Sequence, residues 1–269
     1  MNKTSELPPE AIKQVEEKRR LDAIRDEQLK VQRVIEKVFE DSKKMRHNFP
    51  DLTLKPIYDM HARLVQIIAD EICLKQQRKR LKIDEYNANV FRFLLYYFND
   101  CELALEVFPD KDYKLENNIM LIGKSGAGKT ITMQIFSEYL KRTRNPMFFH
   151  NLSVTQMVNY YTINHNLDRY TYNEENSKGF DGDPVNVCLN DIGLKDMMHF
   201  GQDTSILTEN FLHARNEIWA MTSMNRKFAH LTTNLGVKKM KDKYNDEYSR
   251  LIDRFKTYNI IEYKGESRR

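Results

Sequence analysis

The chain has 269 residues, 41% of them hydrophobic and 30% charged, with 43 basic and 39 acidic side chains and a formal charge of +4. That is enough for one large domain or two modest ones with proper cores, and so mild a basic excess does not by itself mark a nucleic-acid binder. Cys73, Cys101 and Cys188 lie far apart without C-x-x-C spacing, arguing against a disulfide framework or zinc cluster. No run reaches the roughly 18 to 20 apolar residues of a membrane span, and the opening residues lack a secretory apolar region. The expectation is a soluble cytoplasmic protein with no membrane partner.

Residues 1 to 9, with Pro8 and Pro9, read as a loose terminus before a helix. From Ala11 to Arg46 there is no Gly or Pro, and apolar residues recur at helical spacing, weakly through Leu21 and Ile24 and strongly through Val31, Val34, Ile35, Val38 and Phe39. This predicts a long helix whose first half projects as an exposed or coiled-coil arm. A second helix is predicted from about Lys55 to Lys82, carrying Ile57, Met60, Leu64, Ile67, Ile68 and Ile72 and ending in the basic run KQQRKRLK. A third opens near Asp84 as N-cap, and its segment Val90 to Phe98 is too densely apolar for a surface helix, so burial against the next domain is expected. Residues 1–110 thus read as a helical region for partner or DNA binding, and 111–269 as a second domain.

From about Tyr113 short apolar runs alternate with helical segments, the pattern of an α/β domain with a mainly parallel sheet. Strands are predicted at Ile119–Ile122, Met147–His150, Val185–Leu189, Ala229–Thr233 and Asn259–Tyr263. The helices between them are predicted at Lys129–Arg142, Val154–Tyr161, Ile206–Met221 and Asn245–Phe255. Asn164 to Asp183 reads as a long surface loop, and the tyrosines between Tyr160 and Tyr172 as an aromatic surface that could meet DNA, a partner or an acceptor substrate.

The first strand runs into Gly123, Lys124, Ser125, Gly126, Ala127, Gly128, Lys129 and Thr130, a full G-x-x-x-x-G-K-[ST] match. Glycines let successive amides turn inward as a nest for phosphate oxygens at the positive end of the next helix. Lys129 would reach the β and γ phosphates, Thr130 would ligate Mg²⁺, and Ile131 continues the set into the helix. Asp191 ends a later apolar strand, expected beside the first, as candidate acid for metal-bound and attacking water; an Asp can also merely end a strand. Asn234 ends another strand, where an amide could meet a γ-phosphate, though Asn is equally a turn residue. Arg250 and Arg254 share a helical face and could reach one anion together, or could pair with Glu247 or Asp253. Basic clusters at Lys75–Lys82 and Lys238–Lys243 could contact phosphates or simply face solvent.

The P-loop, N-D-I-G at Asn190–Gly193, T-T-N at Thr232–Asn234 and S-R-L-I-D-R at Ser249–Arg254 together resemble the DnaC/IstB group of AAA+ ATPases, helicase loaders and helper ATPases of transposable elements. The resemblance covers about residues 113–269 and implies an AAA+/ASCE-type P-loop NTPase fold without a full C-terminal lid, with ATP and Mg²⁺ as cofactors. Position by position it implies Walker A at Lys129 and Thr130, a Walker B metal site at Asn190 and Asp191, and a sensor at Asn234. Arg250 and Arg254 become arginine-finger candidates, and Arg268 or Arg269 a second-sensor candidate. Relatives usually carry two acids where this chain has Asn190-Asp191, which would weaken metal binding and hydrolysis. The implied function is an ATP-hydrolysing, DNA-associated homo-oligomer acting with a replicative helicase or transposition protein. The alternatives are a non-hydrolysing ATP-dependent scaffold and a P-loop small-molecule kinase.

Overall fold

The structure is a computed structural model and describes residues 17–30, 32–33, 49–171, 185–193, 198–199, 202–221, 227–244 and 253–264. The chain divides into two compact units, Met1–Asn48 and Phe49–Arg269. In the first, the described residues are helical and exposed, Leu21, Ile24 and Leu29 included; the rest of the helix predicted over 11–46 lies outside the described residues.

The second unit begins with three helices, α1 (Lys55–Gln77), α2 (Ala88–Tyr97) and the short α3 (Leu103–Glu106). Then come β1 (Asn118–Gly123), α4 (Lys129–Arg142), β2 (Phe149–Ser153), α5 (Val154–Asn164), α6 (Asp168–Thr171) and β3 (Asn186–Ile192). A two-stranded antiparallel ribbon, β4 (Met198–His199) with β5 (Gln202–Asp203), leads into α7 (Thr204–Met221). The chain continues through β6 (Ala229–Thr233), α8 (Val237–Lys243), a 3-10 turn (Phe255–Thr257) and β7 (Tyr258–Tyr263).

The main sheet has the order β2-β3-β6-β1-β7, and every pairing is parallel. The expectation that the Asp191 strand lies beside the P-loop strand is therefore corrected, because β6 is inserted between β3 and β1. Alternating side chains divide the two faces. Ile119, Leu121, Cys188 and Phe149 face a core shared with Ile68, Phe93, Leu94, Phe98, Ile135 and Phe136 of α1, α2 and α4 and the turn after α2. Met120, Ile122, Val187, Leu189 and Leu231 face a second core with Met157, Val158, Leu207 and Phe211 of α5 and α7. A parallel sheet exposes little of either face, and here residues from Leu52 to Ala104 help cover one of them. The compact units accordingly part at 48/49 and not near residue 110.

Contacts between α1 and α4 strengthen that layer: His61 Nδ1 lies 2.7 Å from the Tyr139 hydroxyl, and Arg142 makes an ion pair of 2.7 Å with Glu71. Helix α1 stops before its basic run is complete, because Arg78 adopts a left-handed conformation and donates its amide to Leu74 O. Asp84 is not the α2 N-cap. Its Oδ1 accepts from Tyr86 N while Asn87 Oδ1 accepts from Asp84 N, closing a turn, and Asn87 stands at the cap position. Strand β2 begins two residues and ends three residues later than predicted. Helix α5 is started by a Ser153/Gln156 capping box and carries Tyr160 and Tyr161; Tyr170, buried on α6, packs edge-on against Tyr160 at 5.1 Å, so these tyrosines are not one surface loop. Helix α8, unforeseen, carries the Lys238–Lys243 cluster, while most of the helix predicted over 245–255 lies outside the described residues. Among the described residues no helix is long and apolar enough to cross a membrane.

Buried asparagines tie the strand starts. Asn118 Oδ1 accepts from Ala229 N, Asn186 Oδ1 accepts from Phe228 N, and Asn259 exchanges bonds with both the amide and the carbonyl of Lys114. His230, in mid-sheet on β6, accepts Ile119 N–H at its Nδ1 over 3.0 Å and is surrounded by Phe98, Phe149 and Phe228 with centroids 5.1 to 5.6 Å away. Its Nε2 has no hydrogen-bond partner among the described residues.

Burial, aided by Arg215, lowers the His230 pKa to about 3, so the folded state holds a neutral ring. The unfolded chain takes the proton near pH 6.5. This contribution is fully present above that pH and is lost progressively as the pH falls towards 3. Urea denaturation should show roughly 2 kcal/mol lost between pH 6.5 and 4.5 through this residue. His230→Leu should flatten the slope by that amount.

Candidate functional site

Strands β1, β3, β6 and β7 all end at the same edge of the sheet, where open parallel sheets place their ligands. At Gly123 the β1 backbone runs against β7: a Cβ there would stand 2.6 Å from Tyr263 O. Gly128 has φ 109° and is the N-cap of α4, a turn that an L side chain rarely adopts. The first turn of α4 has no side-chain cap, leaving the helix dipole to serve an anion.

A cavity of about 360 Å³ lies at this edge, lined by Ser125, Gly126, Ala127, Gly128, Lys129, Thr130 and Ile131 and, from other elements, by Asp191, Asn234 and Tyr263. The predicted P-loop, acid and sensor residues, 60 to 100 positions apart in sequence, are thus brought together. Gly123 and Lys124 contribute through their carbonyls. Lys129 is buried, and its ammonium donates to Gly123 O at 2.8 Å, Lys124 O at 2.9 Å and Asn234 Oδ1 at 2.7 Å. The β6 insertion explains the last bond, since it sets Asn234 directly beside the P-loop. Tyr263 is fixed by a 2.6 Å hydrogen bond between its hydroxyl and that of Thr132.

Two candidates are placed differently. Asn190 does not line the cavity: it is 4% exposed, and its amide donates to Asn151 Oδ1 and Leu152 O while accepting from Thr232 Oγ1. Arg254 precedes the 3-10 turn, partly buried and outside the cavity lining, with desolvation lowering its pKa. Arg250, Arg268 and Arg269 lie outside the described residues. Sequence reasoning missed the remaining wall, Cys73, Gln76 and Gln77 of α1 with Leu81 and Asn87 of the following turn. No motif marks these residues; Gln76 reaches α4 through a 3.2 Å hydrogen bond to Gln134 Oε1, and the helix stop at Arg78 turns only the chain that follows.

The fold is an α/β fold in which a five-stranded parallel sheet flanked by helices carries a P-loop between strand β1 and α4. No protein-family model matches the sequence, and no curated protein matches it significantly. Among solved structures the chain is similar to AMPPCP-bound DnaA from Aquifex aeolicus, with a TM-score of 0.42 and 16% identity over 69% of this chain and 49% of that one. The chain therefore spans about half the length of that neighbour.

Gly123→Ala forces its methyl group onto a backbone carbonyl and should separate β1 from β7. A destabilisation of about 2 kcal/mol or more is expected in urea titration, whereas alanine at Gly236, which has nothing within 4 Å of its Cβ position, should cost much less.

Proposed function

We propose that this chain binds ATP with Mg²⁺ at the P-loop edge, hydrolyses it, and uses the nucleotide state to control a DNA-associated assembly of its own copies, in the manner of a helicase loader or transposition helper. The observation that carries the nucleotide reading is the convergence of Lys129, Thr130, Asp191 and Asn234 on one cavity at an uncapped helix N-terminus.

In this reading the phosphates lie in the turn from Ser125 to Thr130, held by backbone amides and the α4 dipole. Lys129 exchanges carbonyl and amide oxygens for phosphate oxygens, and Asn234, released from the ammonium, holds the γ-phosphate or the attacking water in line. Base and ribose take the wall of Cys73, Gln76, Gln77, Leu81 and Asn87. The residues fit Mg²⁺: the Thr130 hydroxyl and Asp191 carboxylate are hard oxygen donors on the same cavity, and such a site needs few protein ligands because phosphates and water supply the rest. When bound, the ion would neutralise charge on the phosphate oxygens. Asp191 orients the water and takes its proton. The basic residues of α8 and of the turn after α1, Lys79, Arg80 and Lys82, offer sequence-tolerant phosphate contacts to DNA.

The test is ATP turnover by the purified chain with and without single- and double-stranded DNA, alongside particle mass in ATP and in ADP. DNA-stimulated turnover with ATP-dependent oligomers supports the proposal; oligomers without turnover favour the scaffold, and a monomer indifferent to DNA sinks both. Lys129→Ala should weaken ATP binding by about 100-fold through loss of a charge-assisted contact. Asn234→Asp, which sets a carboxylate against the ammonium, should weaken it by about tenfold; a fluorescent ATP analogue reads both.

A further inference from the structure

In a regular strand successive side chains point to opposite faces. Val187 and Leu189 of β3 join the core beneath α5 and α7, and Cys188 joins the opposite one. Continued alternation would turn Asn190 towards the α4 side and Asp191 away from it. The next residue in the α7-side core is instead Ile192, so one residue has been inserted. Pairing with β6 locates it: Leu189 stands opposite Leu231 and Ile192 opposite Thr233, leaving Asn190 and Asp191 to share the place opposite Thr232. Asp191 has φ +61°, a left-handed conformation that costs a non-glycine residue energy. This is a β-bulge, a device that re-aims a side chain.

Side chains hold the bulge from both flanks. Thr232 Oγ1 accepts the Asp191 amide at 2.9 Å and donates to Asn190 Oδ1 at 3.2 Å. Asn190 Nδ2 donates to Leu152 O at 3.0 Å and Asn151 Oδ1 at 3.2 Å on β2. Three strands are thereby tied around Asp191, the one described residue of β3 that lines the cavity.

We propose that Asn190 and Thr232 are positioning residues that hold the bulge, so that Asp191 alone, and not Asn190, serves the Mg²⁺ of the bound nucleotide; this rests on reading the cavity as a nucleotide site. The chemistry of position 190 requires an amide. It must accept from a hydroxyl and donate to a backbone carbonyl, and a carboxylate has no donor. Asn151 could turn its amide to suit a carboxylate only by giving up its 3.4 Å bond to Met133 O, the Leu152 carbonyl cannot turn at all, and a buried charge would face it unpaired. Asn190→Asp, which restores the paired acids of the resembling group, therefore damages the metal site.

The experiment measures the affinity of a fluorescent ATP analogue with excess EDTA and with Mg²⁺, and takes the ratio as the metal-dependent part. Asn190→Asp and Thr232→Val should each lower that ratio about tenfold, as loss of outer support to a metal ligand does, with the EDTA affinity within about twofold of wild type. Thr232→Ser should restore the ratio, and Asp191→Asn should lower it like the first two. A higher ratio in Asn190→Asp, or an unchanged one in Thr232→Val, overturns the proposal. Equal loss in both conditions, with Thr232→Ser no better than Thr232→Val, marks a merely structural network and also overturns it. A wild-type chain that binds no analogue in either condition fails at an earlier point, the nucleotide reading itself, and is recognised by that.

Discussion

Both faces of the parallel sheet are buried in this fold, and almost everything else follows from how the chain covers them. One face receives α5 and α7 from the crossovers between strands. The other receives α4 together with α1 and α2, which precede the sheet in sequence. Phe93, Leu94 and Phe98 are almost fully buried there, a burial that stabilises by about 1.5–3 kcal/mol for each large side chain. The helices before the P-loop domain are consequently part of its core, and their end forms one wall of its cavity.

Placing β6 between β1 and β3 divides the work of the sheet's two edges. At the strand starts, buried asparagines and His230 satisfy backbone groups and fix the register of neighbouring strands. At the strand ends, the same register brings Asn234 within 2.7 Å of Lys129 and pairs Thr232 with a bulge. Register errors at one edge would therefore displace chemistry at the other, since a slip of one residue reverses every side chain.

Much of this was legible in the sequence. The P-loop has a local spacing with a local mechanism, so Gly123 to Thr130 could be read directly, and alternating apolar runs gave the five strands of the sheet within a few residues. Strand order was not legible, because periodicity within a strand says nothing of its neighbours; hence Asp191 was expected on the strand beside β1. The roles of Asn118, Asn186 and Asn259 were equally hidden, since an asparagine at a strand start looks like any turn residue until the amide it serves is seen, 111, 42 and 145 positions away. Asn190 misled for a related reason. A motif assigns a residue by position in a line, and the bulge changes which position faces the cavity.

The shared core has a consequence for what can be separated from this chain. A fragment beginning at residue 111 would keep every recognisable motif and all five strands of the sheet. It would nevertheless uncover Ile119, Leu121, Phe149 and Cys188 along one face, an apolar surface of the kind that drives aggregation, and it would open the cavity where Cys73, Leu81 and Asn87 had closed it. A piece that keeps this core whole is thus longer than the motifs suggest and includes the second compact unit from Phe49 onward.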